Sequence, residues 1–172
     1  LLMKSKIQFY LIIGLLFPIY FVIRLIRPII LIRFGSLKSY RIGHFAGNID
    51  CYMCETDSGL HPKRSVDFFF VDPKNNFFIC NHQLLKMWKR VLNVNKIAYY
   101  FFRLHKLLST SDIHIVEPIN ADRDILLLRR KSPIHLYFNQ KEKIQAKSEL
   151  NMMGIGEGEK FVCLINRDQA YL

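Results

Sequence analysis

Short apolar blocks alternate with amphipathic segments along most of the chain, and this alternation predicts strands and helices in turn. The run PIILIRF at residues 28–34 predicts a first buried strand. Further strands are predicted by the apolar stretches at 65–72, 75–80, 112–116 and 134–138. Such a sequence is typical of an α/β protein.

Helical spacing of apolar residues marks the segments between those strands. One helix is predicted to start at His44, and others to occupy 81–92, 96–108, 120–132 and 139–154. Asn81 and Asn139 stand where N-caps belong, and Gly154 stands where the last helix ends. The helix from His44 has a polar stripe formed by His44, Asn48, Cys51 and Glu55, and an apolar face formed by Phe45, Ile49, Tyr52 and Met53.

The order of these elements predicts an open, largely parallel α/β sheet of Rossmann-like type over residues 28–138. Residues 139–158 are expected to be a connector helix followed by a glycine-rich hinge. Residues 159–172 are expected to start a second domain, with a strand at 161–165 followed by a turn. Because a fold rarely stops after one strand, we expect a longer protein that continues beyond Leu172.

Residues 1–27 contain the longest apolar run, a 17-residue stretch at 7–23 that carries no charge. A helix of that length would reach about 25 Å, close to the thickness of a bilayer's hydrocarbon core. Pro18 would kink it. The run predicts an N-terminal membrane-anchor helix, either a marginal span or a re-entrant segment; a buried core helix is the alternative. A signal peptide is disfavoured because no small-residue cleavage site follows.

The charge distribution supports a membrane surface as a partner. The net charge is +11, and residues 1–49 supply seven basic and no acidic side chains. A basic block beside an apolar block is typical of contact with anionic lipid. The excess of arginine after the apolar run places the rest of the chain in the cytoplasm by the positive-inside rule. No zinc-finger, helix-turn-helix or RNP pattern is present, so we expect no nucleic-acid partner.

The cysteines do not suggest disulfides. Cys51, Cys54, Cys80 and Cys163 lack the spacing of a disulfide framework. Cys51 and Cys54 form a C-x-x-C that could join Cys80 and His82 in a zinc site. Because the second pair lacks a regular zinc spacing, buried free thiols are favoured over zinc, and no metal is expected.

The stretch RIGHFAGN, which follows the first strand, holds the candidate chemistry. Ligands of open α/β sheets bind outside the carboxyl ends of the strands, so the loop at 35–43 should border the cleft. His44 is the candidate general base, since imidazole takes up a proton near neutral pH. A purely structural His44, capping the helix start or bonded to Asn48, is the alternative.

Four neighbours of His44 are candidate substrate-binding residues. Gly43 and Gly47 would let the backbone approach a substrate closely. Arg41 could hold a phosphate or an acidic sugar, although a side chain directed to solvent or lipid explains it equally well. Asn48, one helical turn beyond His44, is the fourth candidate.

The motifs IRFGSLKSYRIGHFAGNIDCYMCE, ICNHQLLKMWKR and GIGEGEKFVCLINRDQAYL occur in this order. With them the sequence resembles a bacterial family of glycosyltransferase-like proteins encoded among surface-polysaccharide genes. The resemblance implies a GT-B architecture, in which an N-terminal domain binds the acceptor and a C-terminal domain binds the nucleotide sugar. It implies no cofactor, and the lack of a D-x-D motif agrees with a metal-free site.

The same architecture would place the NRD turn at the cleft. Arg167 could then meet the donor diphosphate beside Asp168, whereas a salt bridge within the turn is the alternative. No Walker loop, G-x-G-x-x-G or G-x-S-x-G is present.

These observations predict a membrane-associated glycosyltransferase piece, inactive alone, at the cytoplasmic face of the bacterial inner membrane. It would transfer a sugar from a nucleotide sugar to a polysaccharide or lipid-linked acceptor. The alternatives are a non-catalytic membrane-anchored partner or remnant and, less favoured, a lipid acyltransferase. The last requires a histidine and an aspartate with four residues between them, whereas five residues lie between His44 and Asp50.

Overall fold

A four-stranded parallel sheet organises the first part of the computed structural model, which describes residues 2–108, 113–117 and 124–163. The strands described are Leu31–Leu37 (β1), Ser65–Val71 (β2), Asn93–Val94 (β3) and Ile115–Val116 (β4). Their order in the sheet is β3-β2-β1-β4, and every pairing is parallel. The predicted α/β class with a Rossmann-like parallel sheet is confirmed at this level.

The described helices follow the strands in alternation. They are Leu2–Leu25 (α1), Ile42–Asp57 (α2), Lys74–Phe77 (α3), His82–Val91 (α4), Ile97–Leu108 (α5) and Gln140–Met152 (α6), with a 3₁₀ turn at Leu128–Arg130. The chain divides into two compact units, Leu1–Leu136 and Tyr137–Leu172. The sheet and the helices α1 to α5 belong to the first unit, and α6 belongs to the second.

Both faces of the sheet are covered, as parallel sheets require. On one face a buried cluster joins the strands to α2 and α4; it contains Leu37, Phe45, Ile49, Tyr52, Phe69, Leu85, Trp88 and Val116. On the other face the strands meet α1 and α5 in a second cluster of Ile23, Phe34, Phe70, Ala98 and Phe101. Trp88 anchors α4 to α2, because its indole Nε1 donates a hydrogen bond of 3.1 Å to the Phe45 carbonyl.

Gly35 is required by the packing of the central strand. A Cβ at this position would lie 2.6 Å from the ring of Phe69 and 3.1 Å from Val116. Both distances are shorter than van der Waals contact, so any side chain would push the strands on either side away from β1. The glycine therefore lets an aromatic ring lie directly on the backbone of β1.

The first strand is shifted from its predicted place at 28–34. Residues 26–30 form a turn in which the N–H groups of Ile29 and Ile30 both donate to the Ile26 carbonyl, at 2.9 and 3.0 Å. The strand then continues to Leu37, which is fully buried. The predicted strand is confirmed at 31–34, but its bounds were wrong, because the GSL segment at 35–37, predicted as a loop, completes the strand.

Three further predictions were wrong. The stretch 75–80 forms α3 and a loop instead of a strand, and the two-residue β3 was not predicted. The helix expected at 120–132 is, in its described part, a 3₁₀ turn: Asp124 accepts hydrogen bonds from the N–H groups of Leu128 and Arg129, and Leu127 has a positive φ of 51°. Residues 134–138, all described, lie outside the sheet.

Predictions that depended on local signals were confirmed. The Asn81 side chain accepts from the Leu84 N–H at 2.8 Å and caps α4. Asn139 and Glu142 form a reciprocal capping box at the start of α6, and Gly154 follows that helix with φ +84°. Residues 161–163 are not in a strand, and the rest of the strand predicted at 161–165 lies outside the described residues.

Helix α1 packs on α5 near its C-terminal end. Tyr20 and Ile23 are buried there, and the ring of Tyr20 lies 4.7 Å from that of His105, whereas Leu15 and Leu25 are about four-fifths exposed (78% and 80%). Within the described part of the chain, we find no helix with the length and apolar character needed to cross a membrane.

Candidate functional site

The strand order of the sheet reverses between β1 and β4. From the central strand β1 the chain moves through α2 to β2 and β3 on one side, while β4 pairs with β1 on the other side. In open α/β sheets, ligands bind at such a switch point, outside the carboxyl ends of the strands. The loop 38–41 and the first turn of α2 follow β1 directly at this edge.

The first turn of α2 brings three of the predicted residues together. Arg41 is the N-cap; its backbone is extended, it is exposed, and its side chain makes no capping hydrogen bond to any described residue. Gly43 is exposed, and His44 is half-buried as the third residue of the helix. The first turn of α2 therefore carries the positive end of the helix dipole, an arginine and a histidine, which are features suited to an anionic group. The Arg41 guanidinium lies over the Tyr40 ring, 5.9 Å from its centroid.

Hydrogen bonds hold the loop between β1 and α2. The buried Ser39 hydroxyl donates to the Phe78 carbonyl at 2.8 Å, and the Ser39 carbonyl accepts from the Cys80 N–H at 2.9 Å. Asp72, which directly follows β2 at the same edge, accepts a hydrogen bond of 3.3 Å from Ser36. Sequence reasoning missed this carboxylate, although an Asp-Pro pair straight after a strand marks the edge.

Of the other predicted site residues, Gly47 and Asn48 lie further along α2. The Gly47 carbonyl accepts a hydrogen bond of 3.0 Å from Arg129, and so it is turned toward the segment after β4. Asn48 is buried, and its Oδ1 has no hydrogen-bond partner among the described residues. Arg167 and Asp168 lie outside the described residues.

A groove of about 480 Å³ opens at the carboxyl ends of β2 and β3. Its lining is largely apolar and includes Tyr99 and Tyr100, together with Lys89 and Lys96. Aromatic faces beside two cations fit a sugar ring that carries negative charge. The sequence signal for it was the NVNK segment, whose first two residues form β3, a strand too short to be recognised from its pattern.

A second groove of about 480 Å³ lies on the outer side of α2. Here Asp50 binds Arg129 through Oδ2 at 2.7 Å and lies 3.2 Å from His135 Nδ1 through Oδ1. The other ring nitrogen, Nε2, lies 2.8 Å from Asp57 Oδ2. Sequence reasoning missed His135, because 85 residues separate it from Asp50 along the chain.

The zinc alternative built on Cys51, Cys54, Cys80 and His82 is wrong. Among the described residues, the metal-ligating side chains that come together are Asp50, Cys54 and His135. Burial raises the pKa of both Cys51 and Cys54, so each stays a neutral thiol at pH 7 when no cation is bound. The expectation of buried free thiols is confirmed for these two residues.

The histidine–aspartate pair that an acyltransferase needs is not formed. Six residues on a helix place His44 and Asp50 about 120° apart around its axis. The Asp50 carboxylate contacts Arg129 and His135 instead.

A buried polar network lies under the second half of α2. Arg33 of β1 and Asp67 of β2 are paired in register and form a bidentate ion pair, with Nε–Oδ1 at 2.7 Å and Nη2–Oδ2 at 2.5 Å. The Tyr52 hydroxyl donates to the same carboxylate. Burial, and then this hydrogen bond, raise the pKa of Tyr52, so the phenol keeps the proton that it donates. The network joins α2 to both long strands.

His61 completes the network as a neutral ring. Its Nδ1 lies 3.2 Å from Arg33 Nη1 and its Nε2 lies 3.0 Å from Glu55 Oε2, so Nδ1 accepts and Nε2–H donates. A second ring proton would point at the guanidinium. Burial and the charge on Arg33 accordingly lower the pKa of His61 below its ordinary value of 6.5.

This lowered pKa predicts a loss of stability in mild acid. Below about pH 6.5 the unfolded chain binds a proton at His61 that the folded chain excludes, so the free energy of unfolding falls as the pH decreases. Urea unfolding at pH 7.5 and 5.5 measures this change. We expect a smaller change in His61→Gln than in the wild type, and an unaltered change in His82→Gln, which alters an exposed histidine. Equal pH dependence in the wild type and His61→Gln would contradict the assignment.

Comparisons with protein-family models, with curated proteins and with solved structures give no match for this chain. A function is therefore proposed from the parallel sheet, the geometry of its edges and the motifs of the sequence.

Proposed function

We propose that this chain forms the acceptor-side domain of a glycosyltransferase that uses a nucleotide sugar. One observation carries the proposal: His44 stands in the first turn of α2, where the central strand of a parallel sheet ends beside its switch point. The family resemblance of the sequence supplies the reaction class. The acceptor would be a hydroxyl group of a polysaccharide or of a lipid-linked glycan.

In the proposed reaction, His44 takes the proton of the acceptor hydroxyl as its oxygen attacks the anomeric carbon. The bond from that carbon to the diphosphate breaks, and the nucleoside diphosphate leaves with the electron pair. Arg41 and the start of α2 would hold a negatively charged group of the substrate. The reaction requires no cofactor, and the donor would be held mainly by a second domain.

The groove at the ends of β2 and β3 is the proposed acceptor site. It lies at the same edge of the sheet as the first turn of α2, and it offers tyrosine rings and two lysines. Sugars pack their apolar faces on aromatic rings, while the lysines suit the acidic or phosphorylated glycans common at cell surfaces.

An anionic membrane surface is the proposed partner. Helix α1 exposes several large apolar side chains, among them Leu11, Leu15 and Leu25, and Arg24 and Arg27 follow at its end. A helix of this kind can lie on anionic lipid with its cations at the headgroups. We propose that the enzyme works at the cytoplasmic face of the bacterial inner membrane, beside lipid-linked acceptors.

A transfer assay tests the proposal. The protein expressed from its complete gene is incubated with membranes and with radiolabelled UDP-, GDP- or dTDP-sugars one at a time, and label is counted in the lipid-extractable and polysaccharide fractions. We expect label from one donor class, together with release of the matching nucleotide. A Lys89→Ala/Lys96→Ala variant should raise the acceptor KM while the solvent-exposed control Lys86→Ala leaves it unchanged. Absence of transfer from every donor class in active membranes would contradict the proposal.

A further inference from the structure

The groove on the outer side of α2 gathers three side chains of different metal-ligating chemistry. Asp50 and Cys54 lie one turn apart on α2, and His135 reaches them from the segment after β4. One ligand atom from each, a carboxylate oxygen, a thiol sulfur and an imidazole nitrogen, lies within 4.8 Å of the other two. In a tetrahedral zinc site, bonds of about 2.0–2.3 Å separate such ligand atoms by somewhat less, so small side-chain rotations would close the set.

One nitrogen of His135 already lies beside a carboxylate, the partner that zinc-bound histidines commonly have on the side away from the metal. His135 Nδ1 faces Asp50, while Nε2 on the far side of the ring lies 2.8 Å from Asp57 Oδ2. A carboxylate that accepts the second N–H fixes the tautomer and aims the first nitrogen at a metal. The ring is also almost enclosed, with 6% of the His135 side chain exposed, so its orientation is set.

The carboxylate of Asp50 is oriented in the same way. Its Oδ2 is bound by Arg129 Nε at 2.7 Å, which leaves Oδ1 on the side of His135 Nδ1 at 3.2 Å. The guanidinium is itself held by the Gly47 carbonyl. The Ser132 side chain hydrogen-bonds to Cys54 and so helps to orient it.

The fixed charges of the cluster leave room for a cation. The carboxylates of Asp50 and Asp57 outnumber the guanidinium of Arg129. A bound dication would also displace the proton of the Cys54 thiol.

We propose that Asp50, Cys54 and His135 bind Zn²⁺ through three protein ligands, with Asp57 and Arg129 orienting them. A thiolate and an imidazole together select zinc over magnesium or calcium, which prefer oxygen ligands. The fourth position faces the groove, which has room for a water molecule or a substrate oxygen. The site lies about 9–15 Å along α2 from His44 and so is separate from the proposed transfer chemistry.

Cobalt substitution tests the site directly. The purified chain is stripped with a chelator and titrated with Co²⁺, which gives a thiolate-to-metal charge-transfer band and intense visible bands when four-coordinate. We expect stoichiometric binding of one Co²⁺ and its displacement by Zn²⁺. Cys54→Ser should abolish the charge-transfer band, and His135→Gln should weaken Zn²⁺ binding at least 100-fold. Asp57→Asn should weaken it about 10–100-fold while retaining the band.

Matched controls separate this site from other thiols. Cys51→Ser changes the other buried cysteine of the same helix, and Cys80→Ser changes a half-buried one. The Cys51 sulfur accepts a hydrogen bond of 3.5 Å from Arg129, which a serine hydroxyl can also accept, so both variants should keep the band. Cys80→Ser should keep the affinity as well. Loss of the band in Cys51→Ser with retention in Cys54→Ser would overturn the proposal. The proposal would also be overturned if the folded wild-type chain bound no Co²⁺ or Zn²⁺ while His135→Gln lowered its stability, because the cluster would then be an ion-pair network only. Since binding is measured without turnover, this outcome is independent of glycosyl transfer.

Discussion

Asp67→Asn should lower the free energy of unfolding by about 3–5 kcal/mol, a large share of the total for a domain of this size. The substitution keeps the shape of the side chain but removes its charge, so the Arg33 guanidinium is left buried without a counter-ion. Arg33 is only 5% exposed and cannot reach water for compensation. Urea or guanidinium denaturation, followed by circular dichroism, measures the change.

Two further variants define the cause of this loss. Glu117→Gln removes an acid from an exposed ion pair with Lys106 and should cost less than about 0.5 kcal/mol. Arg33→Met combined with Asp67→Leu should recover much of the stability lost in the single variant, because no unpaired charge remains. Similar losses in Asp67→Asn and Glu117→Gln would contradict a buried ion pair at this point.

His44→Ala should lower the rate of glycosyl transfer by about 10²–10⁴-fold, the usual contribution of a general base. The prediction depends on the proposed function and uses the protein expressed from its complete gene. Half-buried at the start of α2, His44 can be shortened with little loss of packing, so the urea midpoint should stay within the range of a surface substitution. The measurements are kcat, KM and the pH profile of kcat/KM.

The pH profile distinguishes a base from a structural residue. Removing a base should abolish the acidic limb of the profile, whereas a packing defect should lower the rate at every pH. His82→Ala, at the exposed start of α4, is the matched control and should leave the profile unchanged. An unaltered rate in His44→Ala would remove this residue from the mechanism.

The elements that sequence could predict are those whose signals are local. The cap at Asn81, the capping box at Asn139 and the apolar run of β2 each depend on a few neighbouring residues, and each is found as predicted. The segment 124–132 has helical spacing, yet Leu127 has a positive φ of 51°. The Asp124 side chain also accepts the N–H groups of Leu128 and Arg129, which a continuous helix would bond to the backbone carbonyls four residues earlier. Residues 134–138 have the apolar character of a strand but form no strand, and Leu136 packs instead against the buried cluster that joins α2 and α4 to the sheet.

The candidate sites likewise contain one part that local sequence signals predict and another part that they do not. The place of His44 was predictable, since only a short loop separates it from β1 and the rule for parallel sheets fixes the edge. The pairing of His135 with Asp50 and Asp57 was not, because it joins positions roughly 80 residues apart across an irregular segment. The residues beside His135 in the sequence form no motif that indicates a metal-binding histidine.

The chain carries a single tryptophan, and its position makes it an internal optical probe. Trp88 is 1% exposed, bonds to the backbone of α2 and also lines the groove that holds His135. Its fluorescence emission should therefore be blue-shifted in the native protein. The same signal should follow both the separation of α2 from α4 on denaturation and the arrival of a quenching ion such as Co²⁺ in the groove, without any label being attached.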